Sequence, residues 1–128
     1  MGFFNRFREL PKGDSVLDSV QENLHHVLNA KEGYSSVIRD YGLGQYYAQP
    51  DTIHAMRTLL REMMDDINRY EPRLKVTSLM TKGRDSSMAL HLDLIGIVGG
   101  VTYLFKLRFD QIYNHFLVDS AHDLKALE

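Results

Sequence analysis

The sequence predicts an α+β fold in which two N-terminal helices pack on a C-terminal antiparallel meander of three to four strands. Three observations predict it. As far as Tyr70, apolar residues recur every three or four positions, as they do on one face of a helix. After Pro72 the period changes to two, which is typical of strands with one buried face. Gly99-Gly100 lies between two such runs and is a hairpin signal.

Length and composition limit the function. The 128 residues suit one domain. With 15 Lys+Arg against 17 Asp+Glu, the net charge of −2 does not predict a general nucleic-acid binder, which is usually clearly basic. The absence of cysteine excludes disulfides, thiolate metal sites and a cysteine nucleophile.

The sequence also argues against a membrane protein. Its longest apolar stretch, Leu94–Phe105, is shorter than the roughly 20 residues that a helix needs to cross a bilayer. The first residues lack the apolar core of a signal peptide. We therefore expect a cytoplasmic protein without direct membrane insertion.

We expect a single domain at 14–119 between two tails, 1–13 and 120–128. The N-terminal tail carries Phe3, Phe4 and Phe7 and ends in Pro11-Lys12-Gly13. It is either a flexible terminus or an anchor that docks on this domain or on a partner, because three phenylalanines are costly to leave in water.

The first helix is predicted to begin near Asp14 or Ser15 and to stop at Gly33 as a C-terminal glycine. Residues 34–50 predict a long connection with only a short helical turn around Ser35–Arg39. The apolar face of the first helix comprises Leu17, Val20, Leu24, Val27 and Leu28.

The second helix is predicted to begin at Pro50-Asp51, with Asp51 as its cap, and to end before Pro72. It packs on the sheet or on the first helix, with a coiled-coil dimer as the alternative. Its apolar seam comprises Ile53, Met56, Leu60, Met63, Ile67 and Tyr70.

The alternating region predicts four strands. The first spans Leu74–Lys82, the second follows the alternation from Met88 to Leu94, and the third spans Val101–Phe109. A turn over Gln111–Asn114 leads to a short fourth strand at His115–Val118.

Few residues of the sequence suggest a catalytic, cofactor-binding or metal site. Gly42-Leu43-Gly44 lacks the lysine and the further glycine of a phosphate loop. His25 and His26 are neighbours on a helix, where they point about 100° apart, so we expect no metal site and no cofactor. A glycosidase would need a carboxylate pair across a cleft, and Glu71 with Asp40, Asp65 or Asp66 supplies candidates. The chain has no tryptophan, and no cleft lined with aromatic residues is evident in the sequence.

The segment between the second helix and the first strand is unusual because Glu71 and Arg73 flank a proline of fixed φ, Pro72. Two interpretations are open. The pair is either local, with Arg73 bonded to an acid of this domain and Glu71 accepting bonds from loop amides, or it is presented to another subunit, with arginine as a planar bidentate donor.

These residues carry a resemblance to a known family. The chain resembles TssE, the small baseplate subunit of bacterial type VI secretion systems, and the related phage-tail baseplate wedge proteins, whose family label includes "gene 25-like lysozyme". The resemblance runs from about Asp18 to Val118. It is carried by Ser19-Val20-Gln21-Glu22-Asn23-Leu24, Leu28-Asn29, Gly33, Asp40-Tyr41-Gly42-Leu43 and Tyr70-Glu71-Pro72-Arg73-Leu74.

The resemblance implies a structural subunit, not an enzyme, in a baseplate docked at the inner membrane. It implies assembly with the wedge subunits TssF, TssG and TssK and initiation of a sheath of TssB and TssC. Carried over, the wedge-contacting positions are Glu71, Pro72 and Arg73. A peptidoglycan-degrading lysozyme and a free-standing adaptor are the alternatives.

Two departures from the family pattern concern turns. Gly44 follows Asp40-Tyr41-Gly42-Leu43, where relatives often have Pro-Asp, and the turn before the fourth strand lacks the usual glycine. Asn114 is expected to adopt the left-handed conformation there instead. Because a meander leaves unpaired edges, we also expect sheath subunits to complete this sheet by strand addition.

Overall fold

A computed structural model describes residues 12–31, 33–42 and 50–127 of the chain. Three helices precede a four-stranded antiparallel sheet in the order β1-β2-β3-β4. This confirms the predicted α+β fold with N-terminal helices and a C-terminal meander, with one helix more than expected. The elements are α1 (Lys12–Asn29), α2 (Gly33–Gly42), α3 (Pro50–Tyr70), β1 (Leu74–Arg84), β2 (Leu90–Val98), β3 (Val101–Asp110), β4 (His115–Asp123) and a 3₁₀ turn (Leu124–Leu127).

The core lies between the helices and one face of the sheet. Alternate residues of β2 are buried, as the period of two requires. Burial of these apolar side chains is the main force that holds the two layers together. The buried residues include Val20, Leu24 and Leu28 of α1, Tyr34 and Ile38 of α2, and Phe105, Phe109 and Phe116 of the sheet.

The helix boundaries differ from the prediction in three places. Gly33 begins α2 and does not cap α1, which ends at Asn29. The expected short turn at Ser35–Arg39 is a helix of 10 residues. Pro50 is the first residue of α3, so Asp51 lies in the first turn and not at the cap. A proline suits the first helical position because its missing N–H would be unpaired there in any case.

The predicted seam of α3 was also partly wrong. The buried residues are Met56, Leu59, Met63 and Ile67, whereas Ile53 is 37% and Tyr70 60% exposed. The predicted seam has the 3.5-residue period of a coiled coil, which drifts around a straight helix of 3.6 residues per turn. Over about five turns that drift moves both ends of the seam out of the core.

All four strands continue past their predicted C-terminal ends, with β2 reaching Val98 where Leu94 was predicted and β3 reaching Asp110 where Phe109 was predicted. β1 continues past Lys82 to Arg84 and β4 continues past Val118 to Asp123, because Tyr103 of β3 offers Asp123 a partner. β2 begins at Leu90, so Met88 belongs to the preceding turn.

The predicted hairpin at Gly99-Gly100 and the predicted left-handed conformation of Asn114 are both confirmed. Gly99 and Gly100 have φ of 57° and 83° in the β2–β3 hairpin, a conformation that glycine adopts without steric cost. Asn114 has φ of 61° before β4, as expected for the residue that replaces a glycine there.

Several predictions concern residues that lie outside the described ranges. These are the phenylalanines of the N-terminal tail, and Leu43 and Gly44 of the connection. The division into one domain with two tails stays a prediction. No helix within the described ranges is long and apolar enough to cross a membrane.

Candidate functional site

The candidate site is the corner between α3 and β1, where the chain changes from helix to strand. The Glu71 N–H still donates to the Ile67 carbonyl at 2.8 Å, in the helical pattern, and the Leu74 N–H donates to the Glu71 carbonyl at 3.1 Å. Pro72 prevents the helix from continuing because a proline disfavours helical geometry at the residue before it. The corner is therefore a tight turn that runs from Glu71 to Leu74.

Inside this corner, Arg73 and Glu71 form a bidentate ion pair. Arg73 Nη2 lies 2.7 Å from Glu71 Oε1, and Arg73 Nε lies 3.0 Å from Oε2. The backbone N–H of Arg73 donates to the same Oε2 at 2.9 Å. Both carboxylate oxygens are thus held by donors only two residues away, in the fork geometry that arginine offers to carboxylates.

Helix α1 supplies the rest of the contacts. Asn23 Nδ2 donates to Glu71 Oε1 at 3.0 Å and to the Tyr70 carbonyl at 3.1 Å. Arg73 Nη1 donates to Ser19 Oγ at 2.9 Å. Four residues apart on one helix face, Ser19 and Asn23 contact the two halves of the ion pair. We call Ser19, Asn23, Glu71 and Arg73 the corner clasp, because together they fasten α1 to the α3–β1 corner.

Sequence reasoning missed Ser19 and Asn23 as members of the site. Both belong to the segment that carried the resemblance, but no role was assigned to them. The available signal was their spacing: two polar residues at i and i+4 beside the buried positions Val20 and Leu24. That pattern indicates polar contacts at the border of a core, although it does not identify the partner.

The three predicted site residues differ in their exposure to solvent. Glu71 is 0% exposed, and among the described residues it is the only buried charged or polar one. Pro72 is exposed, and the Arg73 side chain is 45% exposed and covers the carboxylate. The local interpretation of the pair therefore agrees with the structure, in which Arg73 neutralises Glu71, an acid of its own domain.

The pKa of Glu71 reflects these contacts. Burial by itself would raise the pKa of the carboxyl group. The hydrogen bonds from Arg73 and Asn23 and the positive charge of Arg73 outweigh burial, so the pKa of Glu71 lies below its ordinary value. The clasp thus favours the ionised carboxylate.

This shift predicts how the stability depends on pH. Because the folded-state pKa is lower than the unfolded-state value of about 4.3, the unfolded state binds more protons as the pH falls. The contribution of Glu71 is then complete above the unfolded-state pKa and is lost as the pH falls through the folded-state pKa.

Denaturant unfolding at a series of pH values between 7 and 3 measures the effect. Glu71→Gln is the matched control because the amide has the same shape and does not titrate. The free energy of unfolding of the wild type should fall towards that of the variant as the pH decreases. A difference that stays constant over this range would contradict the assignment.

The other sequence candidates do not join the corner. Asp66 accepts a short hydrogen bond from Tyr34 and lies 3.9 Å from Lys31, and Asp65 is exposed. The Asp40 side chain lies outside what the structure describes. Neither Asp65 nor Asp66 therefore contributes a contact to the corner clasp. The described part of the chain holds no cluster of residues suited to a metal ion.

The two edges of the sheet form a second feature. On β4, the Phe116 N–H donates to Asn29 Oδ1 at 2.7 Å, and Asn29 Nδ2 donates to the Phe116 carbonyl at 3.1 Å. On β1, the Val76 N–H donates to Asn68 Oδ1 at 3.0 Å. One asparagine from a helix therefore covers part of each edge, as folded proteins do to limit unwanted strand pairing.

Comparison with known proteins identifies the family of proteins to which the chain belongs. The sequence matches the family of baseplate wedge protein gp25 over residues 14–99, a range that includes all but the first two residues of the three helices, the whole corner clasp and the first two strands. The chain belongs to this baseplate wedge family. Searches of curated proteins and of solved structures found no match.

Proposed function

We propose that this chain is a structural subunit of a type VI secretion baseplate, of the TssE kind, and that it assembles with TssF, TssG and TssK in the cytoplasm at the inner membrane. The observation that carries the proposal is the corner clasp within a chain of the baseplate wedge family. The clasp holds the guanidinium of Arg73 in one orientation on the surface, which lowers the conformational entropy lost when a partner binds it.

Within this proposal the three corner residues have different roles. Pro72 and Arg73 are exposed and contact a wedge partner directly, whereas Glu71 is buried and positions Arg73. Among the described residues, three of the five N–H groups of Arg73 have acceptors, in Glu71 and Ser19. The other two remain for a carboxylate or carbonyl of the partner.

We further propose that β4 accepts a strand from the sheath subunits TssB and TssC. β1 has two register shifts along its pairing with β2, whereas β4 has one along its pairing with β3. An added strand needs regularly spaced backbone groups, so β4 is the better template. Asn29 occupies the edge at Phe116, and the one shift of β4 falls between Val118 and Ser120, which leaves Val118 and the regular stretch from Ser120 to Asp123.

A non-enzymatic role fits the corner better than the lysozyme alternative. A glycosidase acid needs a raised pKa to stay protonated near neutral pH. The pKa of Glu71 is lowered, and its two oxygens accept bonds from Arg73 and Asn23. Hydrolysis of purified cell wall by the chain, abolished in Glu71→Gln, would overturn this part of the proposal.

Co-purification tests the assembly. The full chain with an affinity tag, co-expressed with TssF, TssG and TssK, should be recovered as a stable complex. Arg73→Gln should weaken the complex at a temperature where circular dichroism shows the variant folded. Arg57→Gln is the matched control because Arg57 is exposed on α3, more than three helical turns from the corner. A folded wild-type chain that binds none of the three would favour the free-standing adaptor.

A further inference from the structure

The end of the sheet opposite the corner presents apolar side chains to solvent. Ile112 and Tyr113, in the β3–β4 turn, are 76% and 74% exposed, the highest values among the large hydrophobic residues that the structure describes. Met88, in the β1–β2 turn, is 45% exposed. Both turns join strands at the same end of an antiparallel meander, whereas Leu74, next to the corner, pairs with Val98 at the other end. We call Met88, Ile112 and Tyr113 the apolar tip.

A carboxylate at the base of each turn fixes its shape. Asp110 Oδ1 accepts hydrogen bonds from the N–H groups of Ile112 at 2.9 Å and Tyr113 at 3.3 Å. Asp85 Oδ1 accepts from the N–H groups of Ser87 at 2.8 Å and Ala89 at 3.1 Å. These are the local side-chain to backbone bonds by which aspartate stabilises turns. The apolar side chains are thus held on ordered turns.

Arg84 joins the two turns to each other. Its Nη1 donates to the Met88 carbonyl and, at 2.9 Å, to Gln111 Oε1, and its Nη2 donates to the Ile38 carbonyl of α2 at 3.1 Å. One side chain near the end of β1 therefore connects the β1–β2 turn, the β3–β4 turn and a helix. Because Arg84 bonds to both turns, the apolar side chains on them are held together as one surface.

The backbone of Met88 is in an unfavourable conformation. Its φ of 69° lies in the left-handed region, where a residue with a Cβ meets steric crowding that glycine avoids. Gly83, five residues earlier, also has a positive φ, so the chain carries glycine at one such position and methionine at the other. A strained backbone that displays an exposed side chain suggests that the side chain is used.

We propose that the apolar tip inserts into an apolar pocket on another protein subunit of the baseplate wedge, a proposal that rests on the proposed function. Preordered apolar and aromatic side chains are typical anchors of protein interfaces, since little rotamer entropy is lost when they bind. The tip is therefore a second contact of the chain, at the opposite end of the sheet from Arg73.

The shape of the tip argues against a second copy of this chain as its occupant. Three side chains on projecting turns cannot bury the roughly 1,200 Å² that a stable dimer needs, and a two-fold dimer would require the surface to be complementary to itself. The charges argue against a bilayer surface, because Asp85 and Asp110 lie at the base of the turns and anionic lipids repel carboxylates. A concave pocket on a larger protein satisfies both constraints.

The absence of cysteine allows a direct accessibility test in the assembled wedge. Single cysteines at Ile112→Cys and Tyr113→Cys label uniquely with a maleimide, and Met80→Cys on β1, also exposed and away from the tip and the corner, is the control. In the free chain all three should label. In the wedge purified with TssF, TssG and TssK, the two tip positions should lose labelling while Met80→Cys keeps it.

Three results would overturn the proposal. Full labelling of both tip positions in an assembled wedge would exclude the pocket while leaving the proposed function intact. Failure of the wild-type chain to enter the wedge would overturn the proposed function and the tip with it. Protection of the tip cysteines by vesicles of phosphatidylglycerol and phosphatidylethanolamine, without other proteins, would assign the tip to membrane.

Met88→Gly separates binding from folding. The substitution relieves the positive φ, so the melting temperature should rise, and it removes one anchor, so the affinity for the wedge should fall about tenfold or more. Met80→Gly is the matched control, because Met80 is 43% exposed on β1, away from the tip. Unchanged affinity in Met88→Gly, measured against the wild type, would remove Met88 from the contact.

Discussion

Arg73→Ala is expected to destabilise the domain strongly, although its side chain lies at the surface. Glu71 is 0% exposed beneath Arg73 in the wild-type chain, and without the guanidinium its carboxylate keeps only two neutral donors, Asn23 and the N–H of residue 73. Breaking a buried ion pair on one side costs about 3–5 kcal/mol, and we expect the lower end because Arg73 is partly exposed. About 3 kcal/mol corresponds to a fall of roughly 10 °C in melting temperature for a domain of this size.

Thermal or urea unfolding, followed by circular dichroism, measures the change. Arg69→Ala is the control, because Arg69 is also an exposed arginine beside the corner, with its guanidinium 6.0 Å from the Tyr70 ring. It should change the stability by less than about 1 kcal/mol. An equal effect of both variants would contradict the clasp. A double-mutant cycle with Glu71→Ala should show strong coupling, since the two side chains contact each other.

Val118→Pro is expected to leave the domain folded and to abolish sheath initiation. The Phe116 N–H and carbonyl face Asn29 and thus point away from β3. The register between Phe116 and Val118 is unbroken, so the Val118 N–H also points outward. A proline there removes one donor from the open edge and no bond of the β3–β4 ladder, a position where strands tolerate proline.

Val118→Ala is the matched control because it shortens the side chain and keeps the N–H. Both variants should unfold cooperatively and enter the wedge. TssB–TssC sheath growth on purified wedges, followed by electron microscopy, should be lost only in the proline variant. Normal sheath growth on Val118→Pro would show that β4 does not accept the strand.

Much of the fold follows from local patterns. The change of apolar period from 3.6 to 2 near Pro72 separates the helical from the sheet region, and Gly99-Gly100 marks the hairpin. Proline and paired glycines act within two or three residues, so their effect on the backbone is visible in the sequence. Asn114 is a further example, since its left-handed conformation follows from a tolerance that few residues share.

Only two of the four members of the corner clasp could be predicted from the sequence. Glu71 and Arg73 stand out because they flank a proline, but whether they pair locally depends on Ser19 and Asn23, about 50 residues earlier in the chain. Periodicity shows which positions of α1 are apolar, and it does not show what the polar positions beside them meet. The same holds for Asn29, whose side chain reaches Phe116 across 87 positions.

The sequence by itself predicted the class of fold and drew attention to the three corner residues, and its resemblance to baseplate wedge proteins indicated the family. The fold class and the unusual corner follow from residue types at short spacing, where the chain itself supplies the geometry. Only the tertiary structure decided that Glu71 is buried beneath Arg73, that α1 completes the clasp, and that Arg84 unites two turns into the apolar tip. Those contacts join residues far apart in the chain, and packing of the helices on the sheet is what brings them within hydrogen-bond distance.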